Sequence, residues 1–144
     1  MAAINTSKVV VGGLVAGVVL NVIDFISNTF IVGERFKPDW DAINPLLWTN
    51  MMATRSIITY VIVDFVIGIL LVWTYAAIRP RFGPGPKTAS NASILLWLVG
   101  AALYAGLMAG GLVSTTAYLT FAVIALVNLL IAGWVGAKLY TEPA

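Results

Sequence analysis

The sequence predicts an all-α integral membrane protein: a four-helix bundle with both termini cytoplasmic and an interfacial helical segment between helices one and two. Three observations carry that expectation. Of 144 residues, 60% are hydrophobic and 10% are charged, whereas soluble domains carry about 25% charged residues. The mean hydropathy is strongly positive. Four apolar runs, residues 9–32, 56–78, 93–112 and 118–137, each reach the roughly 20 residues that a spanning helix needs. They use most of the chain, so residues 1–144 read as one transmembrane domain with no soluble domain attached.

The first run follows Lys8, as the apolar core of a signal peptide would. It is too long for that role and no small-x-small cleavage site follows, so it reads as a retained first helix. Gly13, Gly17, Asn21, Asp24 and Asn28 recur at steps of four, four, three and four and form one stripe along it. The connection over residues 34–55 is mixed in charge. In it Asn44 suits a helix N-cap and Pro45 a first helical position. Trp40, Ile43, Leu47, Trp48 and Met51 fall near one side at helical spacing, as an amphipathic interfacial segment requires.

The second run aligns Tyr60, Asp64 and Gly68. Residues 79–87, Arg-Pro-Arg-Phe-Gly-Pro-Gly-Pro-Lys, form a stiff basic turn. It is not a phosphate loop, because the glycine–lysine spacing is wrong and Pro84 and Pro86 have no N–H to donate. The third run carries Ala102, Gly106 and Gly110 on one stripe, and the fourth Ala125, Asn128, Ala132 and Gly136. In lipid the hydrophobic effect does not drive helices together, so close backbone approach and interhelical hydrogen bonds must do so. Helix packing is therefore expected at Gly13, Gly17, Gly68, Gly106, Gly110 and Gly136, within the bundle or, for some of them, on an oligomer face. Trp73, Trp97 and Trp134 at one end, with Tyr60 and Tyr118 at the other, read as an aromatic belt.

Lys8, Arg79, Arg81, Lys87 and Lys138 lie on the side of both termini; Arg35, Lys37 and Arg55 lie on the other. Lys and Arg accumulate on the cytoplasmic side, hence the expected orientation.

Asp24 lies nine residues before Gly33, and Asp64 nine residues after Arg55. At 1.5 Å per residue each sits roughly 13 Å inside its span. Asn128 and Tyr104 reach similar depths, with Asn21 and Asn28 a turn to either side. The expected polar layer is thus Asp24, Asp64, Asn21, Asn28, Tyr104 and Asn128. Buried charge is costly in a membrane, so at least one of the two carboxyls should carry a proton at neutral pH. Three roles are open for the pair: hydrogen-bond glue, proton exchange along a water path, or closure around a hard cation such as Na⁺ or Ca²⁺ with the Asn oxygens.

The chain has no histidine and no cysteine. That removes His-based zinc sites, Ser-His and Cys-His nucleophile pairs and histidine haem ligation. The contexts Val-Ile-Asp-Phe and Val-Ile-Val-Asp-Phe do not match the Gly-x-Gly-Asp of intramembrane aspartyl proteases. The protein reads as a non-enzyme with no cofactor, and any metal is open. A net charge of +2 spread over the loops predicts no nucleic-acid partner. The expected partners are the lipid bilayer and a homo-oligomer or larger membrane complex.

Residues 12–33, with Gly-Gly-Leu-Val-Ala-Gly before Asn21 and Asp24, and residues 75–89, Tyr-Ala-Ala-Ile-Arg-Pro-Arg-Phe-Gly-Pro-Gly-Pro-Lys-Thr-Ala, carry a resemblance. Together they cover about a quarter of the chain. They resemble an uncharacterised family of small four-helix bacterial membrane proteins. The resemblance implies a multi-pass protein of the bacterial inner membrane and brings no activity. Two functions remain: a non-catalytic accessory or scaffold subunit, and a small transporter or channel moving protons or cations through the Asp24/Asp64 layer.

Overall fold

The computed structural model describes residues 3–142, and for Glu34 its backbone alone. The described residues form helices and turns, with no strand among them. The first helix, α1 (Thr6–Ser27), opens on Asn5, whose side chain accepts from the Lys8 N–H. It runs through a wide π-helical turn, Asn28–Val32, into α2 (Gly33–Ile43). In that turn the Gly33 N–H bonds back five residues to the Asn28 carbonyl. Such turns insert one extra residue and redirect the helix that follows. Then come a short α3 (Leu47–Met51), α4 (Thr54–Phe82), α5 (Pro86–Ala109) and α6 (Thr115–Lys138). Four helical stretches, α1 with its π-turn, α4, α5 and α6, are long and apolar enough to cross a membrane.

The boundaries differ from the sequence expectation where hydropathy is silent about helicity. α5 begins at Pro86 rather than residue 93, because proline suits a first helical position and the polar turn after it is still helical. α4 runs on through Pro80 to Phe82. Asn44 and Pro45 do not open a helix. The Asn44 side chain accepts from the Leu46 N–H, a local turn, and α3 begins only at Leu47. The turn before α5 uses Gly83 (φ +81°) and Gly85 (φ +117°). It is pinned by Thr88, whose hydroxyl donates to the Gly83 carbonyl at 2.7 Å, and by the Tyr75 hydroxyl, which accepts from the Gly85 N–H.

Three helices make the inner core. α1 and α4 meet backbone to backbone: a Cβ on Gly13 would lie 2.5 Å from Ile69 Cα, and one on Gly17 2.8 Å from Phe65 Cα. Gly68 presses back between Gly13 and Gly17. α6 closes the third side, where Gly136 faces the Gly12 carbonyl and Val72. The core around these seams is Val9, Ala16, Leu20, Leu71, Val72, Tyr75 and Ala132. α5 joins from outside. The buried Ser93 hydroxyl donates to the Leu129 carbonyl at 2.8 Å, and Gly133 leaves the space it occupies. At the same end of the bundle, Tyr140 packs edge-on against Tyr75, lies under Arg79 and accepts from the Asn5 N–H.

The opposite end has a separate aromatic core. α2 lays Phe36 and Trp40 against Phe121 of α6, with Trp48 stacked on Trp40 at 5.5 Å between ring centroids. Ser114 caps α6 and donates to Asp39 of α2 at 2.9 Å. Between the two cores lies the polar layer. Beyond that layer the bundle is open: on α4, residues 57–63 are exposed on every face, and on α5 so are 98–100, 102, 103, 106 and 107.

Candidate functional site

The polar layer is set by helix register. Gly13 against Ile69, Gly17 against Phe65 and Asn21 against the Val61 carbonyl fix the antiparallel α1–α4 pairing. In that register Asp64 lies level with Val18, not with Asp24. The two Cα positions are about 9 Å apart along the axes at 1.5 Å per residue. The equal depth expected from the sequence is therefore wrong by more than a turn, because α4 starts level with Asn28 rather than with Gly33. Side chains lean toward the N-terminus of their own helix. On antiparallel helices the two carboxyls therefore lean toward each other, which recovers much of the offset.

Asn128 of α6 is the hub. It is 2% exposed and donates to Asp24 Oδ1 at 2.6 Å and, weakly, to the Leu20 carbonyl at 3.4 Å. Its own Oδ1 is buried and has no partner. The pairing of Gly136 with Val72 carries Asn128 level with Asp64 across the α4–α6 contact. Asp64 is 9% exposed and makes no side-chain hydrogen bond to another described residue. The layer thus draws Asp24, Asn128 and Asp64 from three helices, with Asn128 Oδ1 and the Asp64 carboxyl both without a donor among the described residues.

The other expected members sit elsewhere. Asn21 bonds to the carbonyls of Gly17 and Val61, so it ties α1 to α4 at the edge of the layer. Asn28 is exposed and bonds back to the Asp24 carbonyl beside the π-turn. Tyr104 belongs to the aromatic end, stacked on Tyr118 and edge-on to Phe121. A single tyrosine on α5 cannot reach inward there, because α5 packs on α6 and not on α1.

Gly13, Gly17, Gly68 and Gly136 lie at helix contacts, and so do Gly12 and Gly133, which the step pattern did not single out. Gly106 and Gly110 do not. Both are exposed; a Cβ on Gly106 meets nothing within 4 Å, and one on Gly110 only its own helix. The expectation that they pack within this chain is corrected: the third stripe faces outward. Trp97 is likewise no belt residue. Its indole N–H donates to the Ala122 carbonyl at 2.8 Å, between α5 and α6. Ser93 was missed; its signal was a hydroxyl one helical turn after Ala89, at the start of an apolar run whose neighbour carries Gly133.

Among the described residues no group of three His, Cys, Asp or Glu side chains is placed to hold a metal ion. Interhelical side-chain bonds in membranes average about 0.6 kcal/mol. The Asp24–Asn128 bond is therefore too weak to account for assembly, which falls to the glycine seams. What the layer adds is a polar centre between a sealed half and an open half. The class defined by this architecture is a multi-pass helical membrane bundle. Comparison with known proteins finds no matching family model, no similar curated protein and no similar solved structure.

Proposed function

We propose that the protein is a non-catalytic membrane subunit that works by holding other membrane helices, either further copies of itself or a larger complex. The observation that carries this reading is the outward stripe Ala102, Gly106 and Gly110 on α5, at a height where α4 is also uncovered. Small residues that no helix of the same chain meets are suited to close approach by a helix from another chain. The sealed inner half agrees with holding rather than conducting. There Gly12, Gly13, Gly17, Gly68 and Gly136 bring backbones into contact and leave no room for a water column.

The second reading, a proton or cation path through Asp24 and Asp64, rests on the unpartnered Asn128 oxygen. The same sealed half stands against it.

The setting we propose is a bacterial inner membrane, with the termini and the Pro80–Gly85 turn cytoplasmic and α2 at the outer interface. Cysteine substitution tests both orientation and partner. Gly106→Cys should cross-link to a neighbouring chain in native membranes, whereas Leu71→Cys, buried at 1% exposure, should not. Lys87→Cys and Asp41→Cys should react with an impermeant thiol reagent from opposite sides. Labelling of Lys87→Cys from outside would reverse the orientation.

A further inference from the structure

The geometry points to Asp64 as the seat of one exchangeable proton, bound as a neutral carboxylic acid that donates to Asn128 Oδ1. Asn128 sets the constraint. The Leu20 carbonyl can only accept, and Asp24 Oδ1 accepts when Asp24 is the ionised member of the pair, so the amide NH₂ faces them. That leaves Oδ1 turned the other way, buried and without a donor. A buried acceptor without a partner costs about 1–3 kcal/mol. Asp64, 9% exposed, is the polar side chain that α4 brings to that level, and it makes no side-chain hydrogen bond to another described residue.

As an anion, Asp64 offers only further acceptors to a site already short of a donor. A single proton taken from water and placed on an Asp64 oxygen supplies the missing donor. The chain of bonds then closes: the Asp64 O–H to Asn128 Oδ1, and the Asn128 N–H to Asp24 Oδ1. One negative charge remains, on Asp24, where it already has its donor at 2.6 Å. The titratable groups around Asp64 are few. α1 brings Asp24; α6 carries Tyr118 in the aromatic cluster and Lys138 at its last residue, α5 carries Tyr104 in the same cluster and Lys87 in its first turn, and α4 carries Tyr60 one turn away. Among the described residues neither carboxyl is paired with a cation.

A metal cation fits the layer less well. Hard cations take about six to eight oxygens. Two carboxyls and one amide oxygen fall short of that, and the helical carbonyls nearby are committed to backbone bonds.

This inference goes beyond the subunit reading and does not require a continuous path. Absence of proton flux in liposomes would leave it standing, whereas absence of the bound proton would remove it together with any conduction reading.

The test uses the full chain in liposomes and dicyclohexylcarbodiimide, a membrane-soluble reagent that attacks neutral carboxylic acids. Mass spectrometry should place the label on Asp64 and not on Asp24 at neutral pH. Labelling should fall several-fold as the pH is raised and should be unchanged by Na⁺ or Ca²⁺. Infrared spectra should show a carboxylic-acid carbonyl band that Asp64→Asn loses; if that variant does not fold, the pH dependence in the unaltered protein decides alone. Label on Asp24 instead, no label on Asp64 at neutral or mildly acid pH, or labelling independent of pH would each overturn the proposal. Protection of Asp64 by Na⁺ or Ca²⁺ would overturn it in favour of a cation site.

Discussion

Gly68→Leu is expected to abolish the folded bundle. Overpacking a core normally costs about 1–3 kcal/mol, because neighbouring side chains turn aside. At Gly68 there is no side chain to turn. The atoms in the way are the Gly13 carbonyl oxygen and the Gly17 backbone, with Gly17 N at 2.5 Å and Cα at 2.9 Å from a Cβ. Relief requires α1 and α4 to part along their whole seam, and the polar layer loses its register with them. The control is Gly106→Leu, the same added volume at an exposed position with nothing within 4 Å. Thermal unfolding in detergent should show no cooperative transition for Gly68→Leu and a retained cooperative transition for Gly106→Leu, lowered only by what its lost partner contacts contribute. A Gly68→Leu variant that unfolds like the parent would remove the α1–α4 seam from the account.

Trp40→Ala is expected to cost about 3 kcal/mol, at the lower end of the range for large aromatic truncations. Trp40 is 5% exposed and lies between Trp48, stacked at 5.5 Å, and Phe121, at 6.2 Å. Its removal empties the joint through which α2 reaches α6. The Asp39–Ser114 bond, at 2.9 Å and solvent-accessible, is too weak to keep α2 in place alone. Limited proteolysis should therefore cut α2 in Trp40→Ala under conditions that leave the parent intact, and the unfolding midpoint should drop. Equal protection in both proteins would mean that α2 is held by something other than its aromatic face.

The four spans were legible in the sequence because a run of about 20 apolar residues has few other uses. α2 was legible only in part: a helical segment with Trp40 and Ile43 on one side was expected there, but Glu34, Arg35, Lys37, Asp39 and Asp41 are polar and Pro38 lies within it, so its start at Gly33 was hidden. Its helicity comes from continuing α1 through the π-turn. Gly33 gives room there, with the Trp48 ring 3.2 Å from where its Cβ would be.

Glycine spacing marked Gly13, Gly17 and Gly68 and marked Gly106 equally well. Spacing records that one face of a helix is smooth; it does not record which helix, if any, lies on it. The depth of Asp64 was misjudged for a similar reason. It was counted from Arg55 as if that residue lay level with Gly33, whereas the contacts across the seam set Thr54 level with Asn28. Asn128 was legible as a polar residue in an apolar run, whereas its unpartnered oxygen is a property of the fold.

The subunit reading makes one demand above the others: the open half of the bundle must be covered in the membrane. The direct measurement is the mass of the protein released from native membranes in a mild detergent, read by native mass spectrometry, for the parent and for Gly106→Leu. The parent is expected to be heavier than one 15.3 kDa chain, and the Gly106→Leu protein to be folded but reduced to the single chain. A parent that is a lone, folded chain in both detergent and lipid nanodiscs would contradict it.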